Sequence, residues 1–170
     1  MQNLKNIVAE DLVFYKKRLK CKSSLRIFLI TRSFHLLFLF RFNSFFWRSK
    51  SFRFFRSFFR FLTESYTGCE IHPEASIGSR IYFPHPVGIV IGQGVKIGND
   101  ALIFQNVTLG GRRDTSGNLF YPTLHNNVTV YCHSCILGNV EIGSNSIVGA
   151  CSLVLSSFPD NSVIYGSPAK

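Results

Sequence analysis

Acidic residues are scarce in this chain, and a regular cysteine framework and a long unbroken apolar run are missing. Nine Asp and Glu face 19 Lys and Arg over 170 residues, a net charge of +10. The shortage of acid is local: residues 1–64 hold 14 basic against 3 acidic residues, and residues 65–170 hold 5 against 6. The C-terminal zone is therefore neutral and has no basic stripe or aromatic stacking ladder, which argues against nucleic acid as a partner despite a pI near 9.7. Five cysteines (Cys21, Cys69, Cys132, Cys135, Cys151) are an odd number without a regular disulfide framework, so reduced thiols in the cytoplasm are the simpler reading. Cys132-His133-Ser134-Cys135 has a CxxC spacing but no second pair, and a structural role is expected rather than a metal. Nothing before Arg26 resembles a signal peptide. Residues 27–47 are apolar, but Arg32, His35 and Arg41 interrupt them well short of the ~20 residues a membrane span needs.

What the chain does have is a six-residue period. Ile91, Ile97, Ile103 and Leu109 form one series; Leu124, Val130, Ile136, Ile142, Val148 and Val154 form another; Ile71, Ile77 and Phe83 lead in. Four positions after these aliphatics stand mostly small residues, among them Ala75, Ala101, Ser134, Ser146 and Ser152. A helix repeats every 3.6 residues and a pleated strand every 2, so neither accounts for six. A parallel β-helix does: each hexad is a short strand and a tight turn, with the aliphatic inside a narrow prism. The count breaks twice, by two residues within Phe83-Pro84-His85-Pro86-Val87-Gly88 and by a long excursion over 111–122. Such a loop in a regular solenoid is more often functional than decorative.

Residues 1–66 form a second, basic and Phe-rich zone that holds 14 of the 18 Phe, and it is expected to be helical. Leu4 to Lys20 suits a modest helix with Lys16, Lys17, Arg18 and Lys20 at its negative end. At 100° per residue, 50–62 places Lys50, Arg53, Arg56 and Arg60 on one face and Phe54, Phe55, Phe58 and Leu62 on the other. Two uses are open for such a helix: peripheral contact with the inner face of the cell membrane, or capping one end of the solenoid or a neighbouring subunit.

For chemistry, His85 is the candidate. Two prolines hold it on a stiff turn, and an imidazole titrates where a general base for a hydroxyl must. Glu70, fifteen residues upstream, returns near that turn if a coil takes about eighteen residues. Taken alone, a histidine on a turn is usually a surface residue without a role.

Several motifs in order carry a family resemblance: Glu70-Ile71-His72-Pro73-Glu74-Ala75, Pro84-His85-Pro86-Val87-Gly88-Ile89-Val90-Ile91-Gly92, Val107-Thr108-Leu109-Gly110-Gly111, Ile136-Leu137-Gly138-Asn139 and Gly166-Ser167-Pro168-Ala169-Lys170. Residues 69–170 resemble the hexapeptide-repeat acyltransferases of the serine O-acetyltransferase branch. That resemblance implies a left-handed β-helix over 67–170, a homotrimer, and acetyl-CoA in the groove between neighbouring prisms without any metal. It implies that His85 is the base, that Glu70 stands where the family has an orienting Asp, and that the Gly111 amide lies beside the thioester. Cys132 and Ala150 match small residues lining the pantetheine groove.

The sequence also departs from that branch. Pro84 stands where serine-specific members carry the Asp that binds the substrate's ammonium group. Phe120-Tyr121-Pro122 replaces the Arg-His-Pro that holds its carboxylate. The large helical domain of those enzymes is expected to be absent, replaced by the basic N-terminal zone, and so is a tail for docking a cysteine synthase. With both charge partners missing and Phe83, Phe120 and Tyr121 expected at the mouth, the expected acceptor is a sugar hydroxyl of a capsule or exopolysaccharide. Pro84, Phe120 and Tyr121 would line its site. Free serine is the alternative, and a non-catalytic scaffold is a further rival.

Overall fold

The computed structural model describes residues 4–47 and 53–170, with the side chains at 53–56 outside the description. Four helices come first: α1 (Leu4–Arg18), α2 (Ser24–Ile30), α3 (Arg32–Trp47) and α4 (Arg53–Thr67). Fifteen short strands follow. One sheet stacks β1 (Glu70–Ile71), β3 (Val90–Ile91), β6 (Thr108–Gly110), β11 (Cys135–Leu137) and β14 (Leu153–Val154). A second stacks β2 (Ser76–Ile77), β4 (Lys96–Ile97), β9 (Thr123–Leu124) and β12 (Glu141–Ile142). The third holds β5 (Leu102–Ile103), β10 (Thr129–Val130), β13 (Ile147–Val148) and β15 (Val163–Ile164). Within these three sheets every pairing is parallel, so the chain visits the first, second and third sheet in turn and climbs one coil each time: a three-sided β-helix.

The register explains the hexads. Val90 pairs with Thr108 and Cys135 with Leu153, a return of eighteen positions, or three sixes. Glu70 pairs with Val90 after twenty, which is the two-residue insertion; Thr108 pairs with Cys135 after twenty-seven, which is the loop. The excursion is a small antiparallel hairpin, β7 (Arg112–Arg113) with β8 (Leu119–Phe120). All the periodic aliphatics are buried, and so are the small corner residues. The corner serines reach carbonyls with their hydroxyls: the one Ser134 Oγ proton is shared between Tyr131 O and Gly149 O at 2.8 and 2.7 Å, and Ser152 Oγ donates to Gly149 O at 2.8 Å. At the far end the tail folds back on the last coil, with Leu153 N donating to Gly166 O and Ala169 N to Leu153 O.

At the near end, the first coil has no coil beneath it, and bare backbone groups there need partners. Side chains from α1 and α3 supply them. The Arg41 guanidinium donates to Ile77 O at 2.6 Å and to Gly78 O, and its Nε donates to Asp11 Oδ2 at 3.2 Å. The other Asp11 oxygen accepts from Arg80 N at 2.8 Å. Tyr15 Oη donates to Ile81 O, and Ser33 Oγ accepts from Phe83 N. Burial pushes the Asp11 carboxyl up and the Arg41 guanidinium down, while their mutual attraction works against both shifts.

Helix α4 departs from the expected arrangement. Lys50 lies outside the described residues. Phe59 packs on Phe42 with centroids 5.1 Å apart, and Thr63 and Thr67 continue that buried stripe at i+4 and i+8. Phe58 and Leu62, on the face left open to either membrane contact or capping, are exposed. Arg60, expected on an open basic face, donates to Glu64 and Glu70 at 2.6 Å each. The groups that cap the first coil come instead from α1 and α3. Among the described residues no helix is long and apolar enough to cross a membrane.

Removing one partner of the buried pair should expose how much the junction depends on it. Asp11→Ala leaves Arg41 as an uncompensated buried cation and is expected to cost about 3–5 kcal/mol of unfolding free energy in urea titrations. The combined Asp11→Leu, Arg41→Met variant is expected to cost less than Asp11→Ala.

Candidate active site

The two extra residues before Gly88 push one turn out of the wall where the third sheet passes into the first. Phe83 and Pro86 are buried on either side of it, Pro84 is half-buried, and His85 projects into solvent. The turn is tight: Val87 N donates to His85 O at 2.8 Å, and Gly88 N donates to Gly68 O. Gly88 sits at φ +64°, a strained conformation for a residue with a Cβ, and a Cβ there would displace the Asn106 amide, whose Oδ1 would lie 2.0 Å away. The His85 ring lies 6.4 Å from that of Phe104, which stacks on Tyr131 at 4.9 Å. An aromatic column thus runs down this corner from the imidazole.

Cys132 and Ala150 lie on the same corner two and three coils further on. Cys151 N donates to Cys132 O at 3.0 Å, and His133 N to Gln105 O. Cys132 is half-buried and Ala150 exposed. Glu70 begins β1 on the adjoining sheet, its side chain exposed. Among the described residues no hydrogen bond joins it to His85; its carboxylate is held by Arg60 instead.

Gly111, Phe120 and Tyr121 fall on a different edge, where the first sheet passes into the second. Within one chain they do not meet His85. Tyr121 is a wedge rather than a stacking platform: a Cβ on Gly92, Gly94 or Gly111 would strike its ring at 2.9, 2.4 and 2.9 Å. Phe83 is part of the core. Of the three aromatics expected at a mouth, only Phe120 is exposed, paired across the hairpin with Arg112.

The remaining histidines have structural partners. His72 Nδ1 accepts from Glu74 N, its ring meets Trp47 edge-on, and burial pushes its pKa down. His133 pairs with Asn106 at 3.1 Å, and His125 lies 3.7 Å from Glu141. Among the described residues no three His, Cys, Asp or Glu side chains gather to ligate a metal. A cavity of about 1280 Å³ between α1 and the first coil, lined by Glu10, Phe14, Arg18, Arg80, Tyr82 and Asp100, contains none of these site residues.

Two features escaped the sequence. Phe104 and Tyr131 each directly follow an interior aliphatic, the place where Gly stands after Ile91, Ile97 and Val148, and that contrast was a usable signal. The Arg60–Glu70 contact left none.

Residues 121–156 match the family described as bacterial transferase hexapeptide (six repeats). The serine acetyltransferase of Buchnera aphidicola subsp. Schizaphis graminum is 39% identical over 142 residues, 84% of this chain and 54% of that protein. A truncated serine acetyltransferase apoenzyme superposes with a TM-score of 0.86 at 30% identity, covering 98% of this chain and 69% of that one. A serine acetyltransferase in complex with CoA gives 0.84 at 28% identity, with 98% and 68% covered. This chain spans about half the length of the curated relatives it matches.

These matches overturn two expectations. A capsule or exopolysaccharide acceptor is not supported, since the relatives and solved neighbours are serine acetyltransferases. Of the aromatic mouth that suggested a sugar, Phe83 is core and Tyr121 a wedge, which leaves Phe120 alone exposed. The Phe-rich N-terminal zone is not a replacement for a lost domain either, because coverage of 98% of the chain takes in its helices. Hexapeptide repeats and these neighbours imply a left-handed coil. The chain belongs to the hexapeptide-repeat acyltransferases, on the branch of the serine acetyltransferases.

Proposed function

We propose that this chain transfers the acetyl group of acetyl-CoA to the hydroxyl of serine. The observation that carries the proposal is the two-residue insertion that lifts His85 out of an otherwise regular wall, at the corner shared with Cys132 and Ala150. A corner of small residues beside the Phe104–Tyr131 stack suits the slender pantetheine arm of the donor. His85 removes the proton of the serine hydroxyl as the oxygen attacks the thioester carbonyl. The backbone amide of Gly111 stabilises the oxyanion. As the C–S bond breaks, His85 returns the proton to the departing CoA thiolate, leaving O-acetylserine and CoA.

His85 and Gly111 lie on different edges of one prism, so the proposed site needs a neighbouring copy. A homotrimer provides it by setting the 111–122 hairpin of one chain against the His85 corner of the next. Glu70 is the carboxylate proposed to steady the imidazole, and to do so it must give up Arg60, which holds it in the single chain.

Purified protein with acetyl-CoA and L-serine is expected to release free CoA thiol and form O-acetylserine. Absence of both would end this assignment. His85→Ala should lower turnover by about 10² to 10⁴, the usual worth of a general base. Glu70→Gln should lose less, because the carboxylate is shared with Arg60.

Pro84 offers serine's ammonium group no charge partner. Pro84→Asp is expected to lower the KM for serine about tenfold with little change in kcat, since a charged hydrogen bond contributes about 1.5–3 kcal/mol. Steady-state kinetics against serine would check it.

A further inference from the structure

The turn from α1 into α2 has a composition that the acetyl transfer does not use. From Leu12 to Thr63 the chain contains no Asp or Glu. Within that stretch α2 is seated by Ile27, which is 1% exposed, and by the edge of Phe28 against Phe38 at 5.5 Å; Leu25, Leu29 and Ile30 are 66, 63 and 67% exposed and Phe28 still 47%. A seven-residue helix that shows three large apolar side chains and half of a fourth to water is an unpartnered surface.

The tip is held firmly rather than frayed. Ser23 Oγ caps its start by accepting from Arg26 N, and Thr31 N closes its end on Ile27 O. His35 Nε2 donates to Phe28 O while its Nδ1 accepts from the Tyr66 hydroxyl, which ties α2 to α3 and α4. The end of α1, the turn and α2 itself carry exposed Lys17, Lys20, Lys22 and Arg26, none of which forms a salt bridge among the described residues. Arg18 differs, because its guanidinium lies 4.2 Å over the Tyr82 ring.

We infer that the α1–α2 turn docks on an anionic lipid surface, with Leu25, Phe28, Leu29 and Ile30 entering the headgroup–acyl boundary and Lys17, Lys20, Lys22 and Arg26 meeting lipid phosphates. Charge decides between occupants. A second copy seated on this patch would bring two sets of unpaired cations together, with no carboxylate in the segment to answer them, and like charges across an interface oppose association. A lipid surface answers both halves of the patch at once, because it offers phosphates above and hydrocarbon below. The surface differs from residues 50–62, where Arg60 is already occupied by Glu64 and Glu70. The inference does not rest on the acetyltransferase assignment.

The test is co-flotation of the full chain with vesicles of phosphatidylcholine alone, and with about one-third phosphatidylglycerol added. Binding is expected only to the anionic vesicles and should weaken as salt screens the headgroups. The combined Lys20→Glu, Lys22→Glu, Arg26→Glu variant should bind at least tenfold more weakly. So should Leu29→Ser, Ile30→Ser, with unchanged thermal unfolding and acetyl transfer in solution, and His85→Ala should float like wild type. Failure to float with anionic vesicles, or equal binding to both kinds, would overturn the inference. So would self-association that Leu29→Ser, Ile30→Ser abolishes, which would identify a second copy as the occupant.

Discussion

A solenoid satisfies its backbone by stacking, and the coil with nothing beneath it must find other partners. Arg41 is the side chain on which that solution turns. One guanidinium takes the carbonyls of Ile77 and Gly78 and holds Asp11, which in turn accepts from Arg80 N. A cation buried to this depth would be prohibitive alone; with a carboxylate and two carbonyls around it, the charge is answered. Tyr15 and Ser33 repeat the arrangement without charge at Ile81 and Phe83. Because Phe83 leads directly into Pro84 and His85, the fastening of the helices to the first coil also fixes the base of the His85 turn.

The distribution of the candidate site residues follows from the prism. Three flat walls leave chemistry to the corners, where the chain turns and insertions can be accommodated without disturbing the stacked interior. This chain inserts at two different corners: two residues place His85 at one, and nine extra positions place the hairpin at another. The cavity beside α1 lies at the helix junction, away from both corners.

How much was legible depended on whether a residue's role is set by its neighbours in sequence. The six-residue period was legible because each interior position meets the same narrow space, whatever the coil. Both interruptions stood out for the same reason, and with them His85 and the loop. Asp11, Arg41, Tyr15 and Ser33 were invisible because their partners lie tens of residues away on backbone atoms with no sequence signature. The packed face of α4 was misjudged because Phe at positions 54, 55, 58, 59 and 61 leaves the helical phase almost unmarked. Tyr121 misled in another way. An aromatic residue in a loop looks available for a ligand, and only the three facing glycines show that it is occupied.

That seating of Tyr121 has a consequence for how such a protein can change. With the ring locked over Gly92, Gly94 and Gly111, the point where the chain rejoins the wall is fixed regardless of what precedes it. Residues of the hairpin can be lengthened, shortened or rewritten while Thr123 still meets Lys96 in register. The tyrosine acts as a bookmark in the coil, letting the excursion diverge while the scaffold keeps its place.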